Sequence, residues 1–327
     1  MIDVLCIGEA LIDFVAHERG DTLVEAARYN AATGGAPANV AAGLAKLDRR
    51  ARVIATVGND VFGEKIVHDL ETVGVICTLR RDPDHFTTLA FVRQKLEGGR
   101  EFLFSVGAHE QLLPEQVTAE DVQQARILHY GSVSLRTPQS RETVLHAIQL
   151  AKEAGVVTSC SPDWRPGLWP NPDDGRATIC EAIAHADILR TSLPDLLFLR
   201  PDHEDDYAAA LDAIGFAGRL AVITLGKDGA WYKAGERTGQ VPAPTVKVVE
   251  TTGAGDAFTA AMLDCLLDFD LTLGDMTEAD LQNVMARACA AGALTATGYG
   301  AIPSLPDDAQ IDALMRMMKK MSAGAAN

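Results

Sequence analysis

The sequence predicts an α/β fold, with a central, mostly parallel sheet flanked by helices on both faces and a small β-sheet lid. Three observations carry this. Short β-rich runs alternate with helical patterns over most of the chain, a rhythm that requires parallel strands joined by crossover helices. One stretch breaks the rhythm, with two strand-like runs on either side of Gly98-Gly99 and no helix between them. Finally, 327 residues that are 47% hydrophobic, with 14 prolines and 28 glycines spread along them, suffice for one large core.

The elements follow in order. A strand is expected over 4–7, then a helix over 37–47 with Pro37 in its first turn, a strand over 53–57 and a helix over 62–73. Runs 87–92 and 101–106 form the hairpin. Together with residues of about 12–34, the segment of about 86–107 makes the lid, an insertion in a single domain spanning 1–327. The rhythm resumes with a strand over 127–133, a helix over 140–154, a strand over 156–160, a helix near 177–184 and strands over 188–191 and 220–225. Helices over 254–267, 279–295 and 307–321 complete the chain, the last with Met315, Met317, Met318 and Met321 on its buried face.

A formal charge of −16 argues against a nucleic-acid or anionic-membrane binder, which needs a basic surface. The first apolar run is too short for a signal peptide and no later run reaches a membrane span, so a cytoplasmic protein is expected. Cys6, Cys77, Cys160, Cys180, Cys265 and Cys289 lie far apart in apolar segments and read as reduced core residues.

Two small-residue turns carry the chemistry. Thr251-Thr252-Gly253-Ala254-Gly255-Asp256 follows a strand-like run and opens an apolar helix. Such a turn lets free amides and the helix dipole converge on an anion. Beside it, Asp256 could accept a hydroxyl proton as that hydroxyl attacks a phosphate. In isolation the same residues fit an ordinary tight turn with a capping aspartate. The second turn, Gly34-Gly35-Ala36-Pro37-Ala38-Asn39, permits close backbone approach to a ligand, with Asn39 as a hydroxyl partner; it equally fits a plain helix start. GxxxxGK[ST], GxSxG, HExxH and paired Cys/His spacings are absent from the sequence.

These two elements in this order, with Gly58-Asn59-Asp60-Val61-Phe62-Gly63 after the first, resemble the two signatures of pfkB-family carbohydrate kinases, and the similarity spans nearly the whole chain. Gly8-Glu9-Ala10-Leu11-Ile12-Asp13-Phe14, His129-Tyr130-Gly131-Ser132-Val133-Ser134-Leu135, and Arg165 followed by Leu168-Trp169-Pro170 are particularly similar to the fructokinase branch. The resemblance implies a ribokinase-like fold, ATP and Mg²⁺ as cosubstrates, transfer to a sugar hydroxymethyl group, and a homodimer formed through the lid. It implies that Asp13, Gly34, Gly35, Asn39 and Arg165 bind the sugar, that Gly253, Ala254 and Gly255 form an anion hole, and that Asp256 is the base. Thr252 and the stretch Thr224-Leu225-Gly226-Lys227-Asp228-Gly229 would bind the nucleotide, with Thr224, Gly226 and Gly229 matching the family's T-L-G-x-x-G. Asp195 would position Mg²⁺ and Glu250 a monovalent cation such as K⁺.

Several positions depart from the family pattern. Glu250 stands where relatives carry aspartate. Ser161-Pro162-Asp163-Trp164-Arg165 replaces D-P-N-x-R, so one acid is lost and Asp163 cannot donate as asparagine would. Ser192-Leu193-Pro194-Asp195 shortens the carboxylate of N/S-x-x-E, and His109 occupies an aspartate position in a lid segment that lacks the usual arginine. Three readings therefore stand: a kinase of a ketohexose-like sugar; a kinase of 2-keto-3-deoxygluconate, another modified sugar or a nucleoside; and a kinase-fold regulator that binds sugar or nucleotide without turnover. A sugar acid would need Arg93, Arg100 or Arg165 near its carboxylate. The intact Gly253-Ala254-Gly255-Asp256 favours an enzyme. His129 reads as a packed strand residue and Asp202–Asp206 as a solvated loop.

Overall fold

The computed structural model describes residues 1–96, 99–203 and 206–325. β1 (Ile2–Ile7) is buried on both faces, which is why it reads as a continuous apolar run. β2 (Leu11–Ala16) and β3 (Tyr29–Gly34) then leave for a second sheet before α1 (Ala36–Lys46). β4 (Ala51–Gly58), α2 (Val61–Thr72) and β5 (Ile76–Asp82) follow, with the Asp60 carboxylate capping α2 by accepting from the amides of Phe62 and Gly63. β6 (Leu89–Gln94) and β7 (Arg100–Ser105) form the expected hairpin, of whose turn Gly98 lies outside the described residues.

The second half runs α3 (Ala119–Gln123), β8 (Ala125–Gly131), α4 (Pro138–Ala154), β9 (Val157–Ser161), α5 (Pro172–Ile183) and β10 (Ile188–Ser192). After α6 (Leu193–Leu199) and α7 (Tyr207–Ala213) come β11 (Leu220–Thr224), β12 (Ala230–Ala234) and β13 (Arg237–Val241). α8 (Ala254–Asp268), α9 (Glu278–Thr295), α10 (Ala301–Ser304) and α11 (Asp308–Ala325) close the fold.

The main sheet has nine strands in the order β13-β12-β11-β10-β9-β8-β1-β4-β5. Those from β5 to β11 are parallel, and β12 and β13 form an antiparallel edge. Alternate residues of each strand feed opposite layers. Val4 and Cys6 pack with α1, α8 and α9, whereas Leu5 and Ile7 pack with α4, α5 and α6. The second sheet has the order β3-β2-β6-β7, antiparallel except for the parallel β2–β6 pair.

Several elements differ from the sequence expectation. β5 and the β12–β13 hairpin were not foreseen, because sequences such as Ile-Cys-Thr-Leu-Arg-Arg-Asp and Arg-Thr-Gly-Gln-Val lack the apolar signal of a buried strand. α5 begins at Pro172, where Asn171 accepts from the amide of Asp173. The acidic run is not wholly a loop: Asp206 caps α7, while residues 204 and 205 lie outside the described residues. On α11 the buried residues are Ile311 and Leu314, with Met315 partly buried and Met317 54% exposed; the side chain of Met321 lies outside the described residues. The six cysteines are free thiols, four of them buried. Among the described residues, no helix is long and apolar enough to cross a membrane.

Candidate active site

In chain order the main sheet grows from β1 to β4 and β5 on one side, then returns to β8 and continues on the other. The crevice beyond the strand ends at such a reversal is where ligands bind in open α/β sheets. A cavity of about 310 Å³ lies there, walled by Glu9 after β1, Val133 after β8, Asp163 after β9 and Asp195 after β10. The first turn of α8 and the first turn of α1 close one side, and Arg100, Phe102 and Phe104 of β7 roof the other.

α8 begins at Gly253, in a left-handed conformation with φ +79°, where a Cβ would fall 2.6 Å from that of Ala301. The Ala254 amide donates to the Thr251 carbonyl at 3.2 Å and the Ala257 amide to Gly253 at 2.8 Å. Between them, the amides of Gly255 and Asp256 have no intrahelical acceptor, and both residues line the cavity. Ala254, expected in the anion hole, does not line it.

Asp256 is 9% exposed and accepts from Asn39 Nδ2 at 2.8 Å, so the two sequence turns meet across 217 residues. Helix packing accounts for this. Gly43 lies one turn beyond Asn39 and Ala260 one turn beyond Asp256; a Cβ on Gly43 would approach the Ala260 Cβ to 2.7 Å. Burial, then repulsion from Asp163, raises the Asp256 carboxyl to about 6, although Asn39, Arg190 and Arg165 favour its charged form.

Asp13 faces Asp256 from β2, with Gly34 held so close that a Cβ there would lie 2.0 Å from Asp13 Oδ2. Burial and the Glu250 charge raise Asp13 to about 7. Gly35, at φ +101°, turns the chain into α1; a Cβ there would fall 2.5 Å from the Glu9 carbonyl oxygen. Glu9 accepts from the Ala36 amide at 3.1 Å and from Ser134 Oγ at 3.0 Å, and burial raises it to about 7. Sequence reasoning assigned Glu9 no role. An acid directly after Gly8, at the end of a buried strand, was the available signal.

The departures from the family pattern also acquire geometry. Asp163 pairs with Arg165 at 3.1 Å, and despite its burial the charges of Arg165, Arg190 and Arg100 hold it below the usual carboxylate range. Ser161 is fully buried beneath the cavity and joins Thr259 of α8 at 3.2 Å. Asp195 accepts from the Trp164 amide at 2.9 Å and from Ser192 Oγ, and burial, then Asp163, raises it. Glu250 is 4% exposed; its Oε1 accepts from the Thr252 amide at 2.6 Å, while its Oε2 is buried without a partner. His109 Nδ1 meets Thr88 Oγ1 at 2.6 Å, and Thr88 also accepts from the Gly107 amide at 2.9 Å, fastening the base of the second sheet.

Phe102 lies between two guanidinium groups, 5.2 Å from Arg100 and 4.8 Å from Arg165. Arg100 also reaches Thr252 Oγ1 at 3.5 Å. Arg93 is elsewhere, holding the carbonyls of Glu18 and Arg19 in the β2–β3 loop. Thr224, Gly226 and Gly229 also lie outside the cavity, at the turn from β11 to β12. Thr224 connects to the cavity through Arg190, whose Nη2 donates to Thr224 Oγ1 at 3.0 Å. His129 is buried in β8 against Ser159, as its strand context implied.

Comparison with known proteins agrees with this arrangement. The pattern described as pfkB family carbohydrate kinase matches residues 1–308. A probable fructokinase-3 of Arabidopsis thaliana is 37% identical over 97% of this chain and 92% of its own. Among solved structures, the fructokinase of Xylella fastidiosa with bound ATP superposes with a TM-score of 0.86 at 26% identity, over 97% of this chain and 99% of that one. A Vibrio cholerae O395 fructokinase in fructose-, ADP- and calcium-bound form gives 0.82 at 30% identity, over 96% and 99%. Sequence, topology and the meeting of both glycine turns in one cavity thus agree, and the chain belongs to the pfkB family of carbohydrate kinases.

Proposed function

We propose that this kinase transfers the γ-phosphoryl group of ATP to a primary hydroxyl of a ketohexose-like sugar, as a fructokinase does. The observation that carries the reading is the buried Asp256, hydrogen-bonded to Asn39 at the first turn of α8 and facing Asp13 across the cavity. Asp13, Gly34, Gly35 and Asn39 hold the sugar hydroxyls, with Arg165 at the rim. Asp256 takes the proton of the attacking hydroxyl as its oxygen bonds to the γ-phosphorus; the bond from that phosphorus to the bridging oxygen breaks, and ADP leaves. The amides of Gly255 and Asp256 bind the oxygens over which charge spreads. Thr252 and the turn from Thr224 to Gly229 receive the nucleotide. The second sheet acts as a lid that excludes water, and its outer face joins two copies in a dimer. A cytoplasmic location is part of this reading.

Mg²⁺ fits the site. One or two carboxylates with substrate phosphates suffice for it, and Asp195 stands in the wall. When bound it neutralises phosphate charge. A monovalent cation such as K⁺ fits Glu250, whose buried Oε2 lacks a partner.

A second reading, transfer to a sugar acid such as 2-keto-3-deoxygluconate, is favoured by Arg100. It lines the cavity and, among the described residues, forms no ion pair. ADP release from Mg·ATP over a panel of sugars, sugar acids and nucleosides, with and without K⁺, decides between them. Fructose-type acceptors are expected to turn over, and Asp256→Asn to lose at least about a hundredfold in kcat. Binding without turnover in the wild type would instead identify a regulator.

A further inference from the structure

Arg190, the third residue of β10, is 7% exposed and was not singled out by any sequence motif. Its guanidinium lies against the first turn of α8: a Cβ on Gly255 would fall 2.3 Å from Nη2 and 2.6 Å from both Nη1 and Cζ. Nη2 donates to Thr224, and Nε is buried without a partner. Two nearby acids are engaged elsewhere, Asp163 with Arg165 and Asp256 with Asn39. Among the described residues, Arg190 forms no ion pair of its own.

Both features are unfavourable in the empty protein. Asp163 and Asp256 attract its charge without hydrogen-bonding it, so a buried guanidinium whose Nε lacks a partner keeps part of its desolvation cost, and the N-terminus of a helix repels positive charge. An anion lying between α8 and Thr224 would relieve both at once. The planar fork of an arginine suits phosphate oxygens, which it can bind in pairs.

We infer that Arg190 grips the polyphosphate of a nucleoside triphosphate where it passes from the β11 turn at Thr224 to the transfer site at Gly255. Arg190 thereby selects triphosphate over monophosphate. This rests on the kinase reading and adds to it a residue that joins two motifs otherwise separated by the cavity wall.

The test is calorimetric binding of ATP and AMP in EDTA, without sugar, to the wild type, Arg190→Met and Arg190→Lys, with Tm recorded for each. The wild type is expected to prefer ATP, and Arg190→Met to lose roughly 30-fold or more of that preference while keeping its AMP affinity. Arg190→Lys retains charge without the fork. A reduced but measurable preference there supports the inference and an unchanged one overturns it, whether or not the methionine variant folds. An unchanged ATP-to-AMP ratio in Arg190→Met overturns the role of Arg190 and leaves the kinase reading standing. Equal losses for both nucleotides with a lowered Tm also overturn it, since they mark a structural residue. A wild type without preference for ATP overturns both.

Discussion

As the proposed base, Asp256 must be ionised to accept a proton, yet burial raises its carboxyl to about 6, and that of Asp13, which also lines the cavity, to about 7. The base must be ionised, so kcat/KM is expected to fall as pH drops from 7 through 6, approaching about one decade per pH unit below. A pH profile at saturating ATP checks this; a flat profile down to pH 5 would remove Asp256 as the base. The same shift has a cost in stability. The folded state holds its proton to about 6, while the ordinary value is 3.8, so stability present below the lower value is lost as pH rises through the upper one. Asp256→Asn is therefore expected to raise Tm at pH 7 while abolishing turnover, with the difference shrinking below pH 4. Equal Tm values at pH 7 would contradict the burial account.

At the scale of elements, the approach of α1 to α8 sets the Asn39–Asp256 distance. Gly43→Ala places a methyl group 2.7 Å from the Ala260 Cβ, so the helices must part or shift. A loss of about 1–3 kcal/mol is expected in denaturant unfolding, with kcat falling more than affinity for ADP. An Ala variant as stable and active as the wild type would show that the crossing tolerates slack. The sequence made this region readable, because glycine turns, a proline at a helix start and an apolar helix are local signals. It did not make Arg190 readable. An arginine in a strand ordinarily faces water, and only the packing of α8 over β10 reveals what its guanidinium touches. β5 and β13 were hidden for a related reason: strands at a sheet edge need little apolar character, so the continuous apolar run that exposed β1 is absent from them. The departures at Ser161, Asp163 and Asp195 were legible as letters, but their consequences were not. Ser161 proves to support α8 from below, and Asp195 to fasten Trp164.

For the whole molecule, the two sheets divide the labour: the large one fixes the catalytic ends of its strands, and the small one presents a separate face outward. Phe14 stacks on Phe91 at 5.2 Å on that face, and Leu103 beside them is 59% exposed. Apolar side chains so placed need a cover, and a second lid is the proposed one. Leu103→Glu is expected to convert a dimer to a monomer in light scattering at micromolar concentration, with unchanged circular dichroism. A wild type that is already monomeric would leave that face for another purpose. The order of the main sheet has a different consequence, for the birth of the protein. β1 is synthesised before both of its partners, pairing with β4 on one edge and β8 on the other. Its second edge stays open until Gly131 has emerged. A nascent chain of this kind carries an apolar ribbon with a free edge while everything between β1 and β8 is being made, the interval in which it depends most on being shielded from its neighbours.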